Sequence, residues 1–83
     1  MKVQVRYFAS LRESIGHASE SVHTDSHDVA SLRAELIARG GAYAQCLALG
    51  RPVRVAVNQV MAQEHTVLSA DCEVGFFPPV TGG

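Results

Sequence analysis

The sequence predicts an α+β fold, a mixed sheet of four or five strands with one main helix packed across one face. Three observations carry this. Lys2-Val3-Gln4-Val5-Arg6-Tyr7 alternates polar and apolar residues with period two, the pattern of a half-buried strand. Glu73-Val74-Gly75-Phe76-Phe77 does the same near the other end, with Val74 and Phe76 on one side and Gly75 and Phe77 on the other. Between them Val29, Leu32, Leu36 and Ile37 recur at i, i+3, i+7 and i+8, one stripe of a helix. A half-apolar sheet and a helix stripe bury one another, so these elements close on a single core.

The elements follow in order. In the first strand Val3, Val5 and Tyr7 face inward, and Phe8 puts a large ring on the outer side. Residues 9–15 make a short helical turn ended by Gly16. Residues 18–24 read as a second, weaker strand that pairs with the first as a wide hairpin. After a polar loop, the Asp28 carboxylate caps the main helix by accepting from its open N–H groups. Gly40-Gly41 stops that helix, with Arg39 in its last turn where a cation suits the dipole. Residues 43–49 form a further helical turn ended by Gly50. Val53, Val55 and Val57 give a third strand, Asn58-Gln59 a turn, and Val60-Met61-Ala62 a short fourth strand. In the loop over residues 66–71, Leu68 rather than Val67 plugs the core. The first and last strands, rich in large apolar residues, suit the sheet centre as parallel neighbours.

Composition narrows the function. Eighty-three residues make one small domain, and at 47% hydrophobic it is a folded one. Such a chain buries about 60–65% of its unfolded surface, so its core must be efficiently patterned. A net charge of −1 without a basic block argues against a nucleic-acid partner. No apolar run approaches a membrane span, and Met1-Lys2-Val3-Gln4 opens no signal peptide, so a cytoplasmic location and no membrane partner are expected. Cys46 and Cys72 form no CxxC motif, cannot supply four metal ligands, and are expected reduced and partly buried. His23 and His27 straddle a strand and a loop with no third ligand in view, so no metal site is expected. His17 and His65 read as solvated. Glu13, Glu20, Glu64 and Glu73 make no acid/base pair, and Arg6, Arg12, Arg33, Arg51 and Arg54 read as scattered surface charges.

The closing residues, Phe76-Phe77-Pro78-Pro79-Val80-Thr81-Gly82-Gly83, are of a different kind. Pro78 and Pro79 have no N–H for a ladder and hold the chain extended. Six residues beyond Phe77 reach about 20 Å. Gly82 and Gly83 carry no side chains, so a terminal carboxylate could pass through a narrow channel. Residues 1–77 are therefore read as the domain and 78–83 as a stiff, slim arm that presents the carboxylate.

The closing octapeptide resembles that of the small subunit of molybdopterin synthase, the MoaD family of ubiquitin-like sulfur carriers. Val5-Arg6-Tyr7-Phe8-Ala9 with Leu11-Arg12-Glu13 and Gly16, Leu32-Arg33, and Ala56-Val57-Asn58-Gln59 resemble further stretches of that family, so the resemblance spans the chain. It implies the ubiquitin-like β-grasp strand order. It also implies that an E1-like adenylating enzyme, using ATP and Mg²⁺, joins the Gly83 carboxylate to AMP. A persulfide donor then leaves a thiocarboxylate on Gly83. The large synthase subunit, in a complex of two small and two large chains, receives the arm, and the sulfur attacks cyclic pyranopterin monophosphate. The chain itself would bind no cofactor and act only as the sulfur-donor subunit.

On this resemblance Gly83 bears the sulfur, Gly82 gives clearance, and Thr81, Val80, Pro79 and Pro78 thread the arm. Phe8, Met61 and Phe77 match apolar interface positions on the outer sheet face, with plain sheet packing as the other reading of each. Two other functions share the Gly-Gly end: sulfur carriage to thiamine or a thiolated tRNA base, and a non-catalytic ubiquitin-like binding or conjugating module.

Overall fold

The computed structural model describes residues 1–48 and 50–79. They run β1 (Lys2–Tyr7), α1 (Ala9–Ile15), β2 (Ser19–His23), α2 (Val29–Ile37), α3 (Gly41–Leu47), β3 (Arg54–Val57), β4 (Val60–Met61) and β5 (Glu73–Phe77). The strands form one sheet in the order β2-β1-β5-β3-β4. β1 and β5 are parallel at its centre, with Gln4 level with Glu73 and Tyr7 level with Phe76. The β1–β2, β3–β5 and β3–β4 pairs are antiparallel. This is the ubiquitin-like β-grasp arrangement, with five strands.

The period-two pattern puts Val3, Val5, Tyr7, Val74 and Phe76 on the inner face, each essentially buried. Val29, Leu32 and Leu36 of α2 meet them, and Leu47 of α3 and Leu11 of α1 close the side. Each fully buried aliphatic contributes about 1.5–3 kcal/mol relative to exposure. Leu68 seals one end of the core while Val67 points outward at 75% exposure, as the loop reading required. Asp28 caps α2, its Oδ1 accepting from the Ser31 N–H at 2.8 Å. Gly16 ends α1 with φ of 98°, a left-handed position that glycine takes at little cost.

Several local readings need correction. α3 starts at Gly41, two residues before the expected start, with Gly40 as its N-cap, so the second glycine of the pair already belongs to the next helix. β3 begins at Arg54 and not at Val53, and Ala62 lies beyond β4. β2 is one residue shorter at each end than the 18–24 stretch. Asn58 and Gln59 both take positive φ, 51° and 66°, as a two-residue hairpin turn demands.

Arg39 falls outside α2, whose last turn holds no basic residue; its guanidinium instead reaches Glu20 at 2.8 Å. Arg33 is no surface charge either, being 7% exposed. Its Nε donates to the Leu47 carbonyl at 2.6 Å, one terminal nitrogen to the Ala48 carbonyl, and the other to Glu64 at 2.7 Å. A buried guanidinium needs such partners to offset its lost hydration, and here they are the open carbonyls at the end of α3.

Candidate functional site

Two features meet where β5 ends, an apolar groove on the outer sheet face and a cleft beside Pro78 and Pro79. The groove follows from alternation carried one residue past the core. Tyr7 and Phe76 point inward, so Phe8 and Phe77 point out. The Phe8 N–H donates to the Phe76 carbonyl at 3.1 Å, which holds the end of β1 on β5 as the backbone turns into α1.

The Phe8 ring then lies over Gly75, where an added Cβ would stand 3.0 Å from Phe8 Cε2. Glycine there lets the ring settle onto the sheet. Phe77 meets it edge-on, with centroids 6.4 Å apart, and the Arg6 guanidinium lies 5.2 Å from the Phe8 ring centre. Phe8, Ala56, Gln59, Glu73, Gly75 and Phe77 line a groove of about 350 Å³. The Arg6–Glu73 ion pair, 3.8 Å apart, is also on this face. An apolar floor with charged groups around it is the pattern of a protein-binding surface.

Met61 is not part of that groove. Its register opposite Ala56 assigns it to the outer face, but it lines a separate edge cavity of about 310 Å³ with Val29, Arg33, Val55, Glu64 and Phe76. It is 57% exposed.

Pro78 and Pro79, which follow β5, are both half-buried. They line a cleft of about 450 Å³ with Ser10, Leu11, Ser14, Cys46, Arg51 and Pro52, among others. The Arg51 Nε donates to the Gln45 carbonyl at 3.0 Å, which fixes this side chain at the cleft. Of the site residues expected from sequence, Val80, Thr81, Gly82 and Gly83 lie outside the described residues. Cys46 is half-buried at the cleft, Cys72 is in the core, and neither is in a disulfide.

Sequence reasoning missed a polar corner. Glu20 on β2 accepts from the Tyr7 hydroxyl at 2.8 Å, the Tyr43 hydroxyl at 2.7 Å and Arg39 at 2.8 Å, with His17 Nε2 at 3.1 Å. His17 is exposed, as read from sequence, and also has partners here, its ring meeting Tyr7 edge-on. Burial alone would raise the Glu20 carboxyl, but the bonds from Arg39, His17, Tyr43 and Tyr7 outweigh it and hold the group at about 2. Burial, and then the bond to Glu20, push the Tyr7 and Tyr43 hydroxyls up from their usual value. Five residues from β1, β2, α3 and two connections converge here, and only the His17–Glu20 spacing hints at it in sequence. The corner staples elements together; its carboxylate is fully engaged and poorly suited to accept a proton in catalysis. Among the described residues no group of three or more His, Cys, Asp or Glu could hold a metal ion, and no helix is long and apolar enough to cross a membrane.

A β-grasp sheet whose last strand passes into Pro78-Pro79, beside an apolar outer groove, is the architecture of a ubiquitin-like protein. The chain belongs to the ThiS family, whose model matches residues 5–83. It is 38% identical over 82 residues to the molybdopterin synthase sulfur carrier subunit of Escherichia coli (strain K12), covering 98% of this chain and 99% of that one. The molybdopterin synthase sulfur carrier subunit of Haemophilus influenzae is 33% identical over 81 residues, with 98% and 99% covered. Among solved structures, the fold is similar to that of the Haloferax volcanii HVO 2177 protein, with a TM-score of 0.81, 28% identity, and 100% of this chain and 87% of that one covered. It is also similar to a chain in the complex of subunits 1 and 2 of the molybdopterin-converting factor from Helicobacter pylori 26695. There the TM-score is 0.70 and the identity 25%, with both chains fully covered.

Proposed function

We propose that this chain is the sulfur carrier subunit of molybdopterin synthase. The observation that carries the reading is full-length similarity to two sulfur carrier subunits, on a chain ending in Phe-Phe-Pro-Pro-Val-Thr-Gly-Gly. The Gly83 carboxylate is anionic and has no good leaving group, so it must first be activated. An E1-like partner with ATP and Mg²⁺ supplies an acyl-adenylate and releases pyrophosphate. A persulfide sulfur attacks the acyl carbon, the bond to AMP breaks, and a thiol of the donor cleaves the S–S bond to leave the thiocarboxylate. That sulfur is ionised and polarizable, like an activated thiolate. In the large subunit it attacks cyclic pyranopterin monophosphate. Two carriers are consumed per dithiolene, and water returns each to its carboxylate.

The domain contributes placement. Phe8 and Phe77 seat the carrier on its partners, and the Pro-Pro root of the arm lowers the ordering cost of threading. Met61 is a second contact, at the edge. A synthase of two small and two large subunits in the cytoplasm is the setting this reading gives. The test is reconstitution: thiocarboxylated chain, large subunit and cyclic pyranopterin monophosphate should yield the dithiolene product. Deleting Gly83, or appending one residue after it, should leave the melting temperature unchanged and abolish product. Normal product from either variant would defeat the reading.

A further inference from the structure

The buried guanidinium of Arg33 ties together stretches of chain that meet at the cleft beside Pro78 and Pro79. Arg33 stands on α2, yet its Nε donates to the Leu47 carbonyl at 2.6 Å and one terminal nitrogen to the Ala48 carbonyl at 3.0 Å. The Ala48 carbonyl also accepts from the Arg51 N–H at 3.0 Å, and Arg51 Nε returns to the Gln45 carbonyl. The end of α3 is thus pinned to α2, and Arg51 is pinned to the end of α3. The same stretch supplies Cys46, Arg51 and Pro52 to the cleft that Pro78 and Pro79 line. Arg33 lines the edge cavity and not this cleft, so its influence there passes through the two carbonyls.

We propose that Arg33 is a positioning residue: through the Leu47 and Ala48 carbonyls it holds the wall that Cys46, Arg51 and Pro52 give to the cleft beside Pro78 and Pro79. The last carbonyls of a helix have no partner within it. Here a side chain from another helix takes them, at a point where Leu47 is fully buried. Without the guanidinium these acceptors must reach water, and the end of α3 has to shift for them to do so. The planar fork serves neighbouring acceptors at once, a geometry that the single ammonium of a lysine lacks. Glu64, the remaining partner, is half-exposed, so that ion pair lies at the rim and does not fix the wall. The purpose rests on the carrier reading: a wall already in place lowers the cost of ordering Pro78 and Pro79 when the large subunit takes up the chain.

The chain carries its own reporters, since Cys46 is half-buried at the cleft and Cys72 is buried in the core. The test is the rate at which iodoacetamide alkylates each thiol in the full chain, in wild type, Arg33→Met, Arg33→Lys and Glu64→Gln. Arg33→Met is close in length and leaves no unpaired buried cation, so the fold survives. Glu64→Gln keeps both carbonyl bonds. Arg33→Met and Arg33→Lys should each speed Cys46 alkylation about tenfold by local opening, with Cys72 unmoved. Glu64→Gln should react like wild type at both thiols. With Cys72 unmoved the folded fraction is unchanged, and in synthase reconstitution Arg33→Met should raise KM for the thiocarboxylated chain about fivefold while kcat holds. Equal acceleration of Cys46 and Cys72 would make Arg33 a stability residue only and overturn the inference. A wild-type Cys46 rate in Arg33→Met, a Glu64→Gln rate matching it, or an opened cleft with unchanged KM would do the same. The alkylation rates need no synthase, so a wild-type chain that yields no product would defeat the carrier reading and leave the result on Arg33 and the cleft wall in place.

Discussion

Tyr7 and Phe76 stack inside the domain, while Phe8 and Phe77, one residue further along the same chain, meet edge-on outside it. The inner pair is 1% and 0% exposed; Phe8 is 39% exposed. Local sequence hardly distinguishes the pairs, since Phe8 directly follows Tyr7 at the end of β1 and Phe77 directly follows Phe76 in β5. The pleat separates them, sending neighbours to opposite faces. One pair is then enclosed by α2 and α3 and works for folding. The other faces outward over Gly75 and is available for binding.

That contrast can be broken from the inside first. Phe76→Ala should cost about 3–5 kcal/mol, a large share of the stability of a domain this size, and thermal or urea unfolding would show it. An unchanged melting temperature would mean the core does not depend on the inner pair. The outer pair should behave in the opposite way. Phe8→Ser or Phe77→Ser should shift stability by under about 1 kcal/mol yet weaken binding to the large subunit by about 2 kcal/mol, some thirtyfold, by calorimetry. Equal losses of stability and affinity would erase the distinction.

The smallest effect lies at the Glu20 corner, which anchors the inner pair through the Tyr7 hydroxyl. The folded carboxyl sits at about 2, below its ordinary 4.5, so its contribution is complete above pH 4.5 and is lost as pH falls toward 2. After allowing for solvent screening this amounts to about 1–2 kcal/mol. Glu20→Gln should flatten the acid limb of the stability curve between those values. A curve parallel to wild type would place the acid sensitivity elsewhere.

The sequence was most readable where periodicity and burial agree. β1, β5, the Asp28 cap and the inward Leu68 all follow from local pattern. So do the outward rings of Phe8 and Phe77, because an outside position needs only the parity of the strand. Long-range satisfaction of polar groups was not readable. Arg33 looked like any helix-surface cation until the end of α3 turned its carbonyls toward it. Glu20 drew in residues 7, 17, 39 and 43, which no spacing rule connects. Met61 shares the strand parity of the outer face but lies at the sheet edge, where it lines the edge cavity and not the Phe8 groove.

The most direct measurement is the intact mass of the full chain after incubation with an adenylating enzyme, ATP, Mg²⁺ and a persulfide donor. The carrier account predicts a gain equal to exchange of one oxygen for one sulfur, located by fragmentation at Gly83. An unchanged mass, with pyrophosphate release proving the activating system competent on this chain, would contradict it.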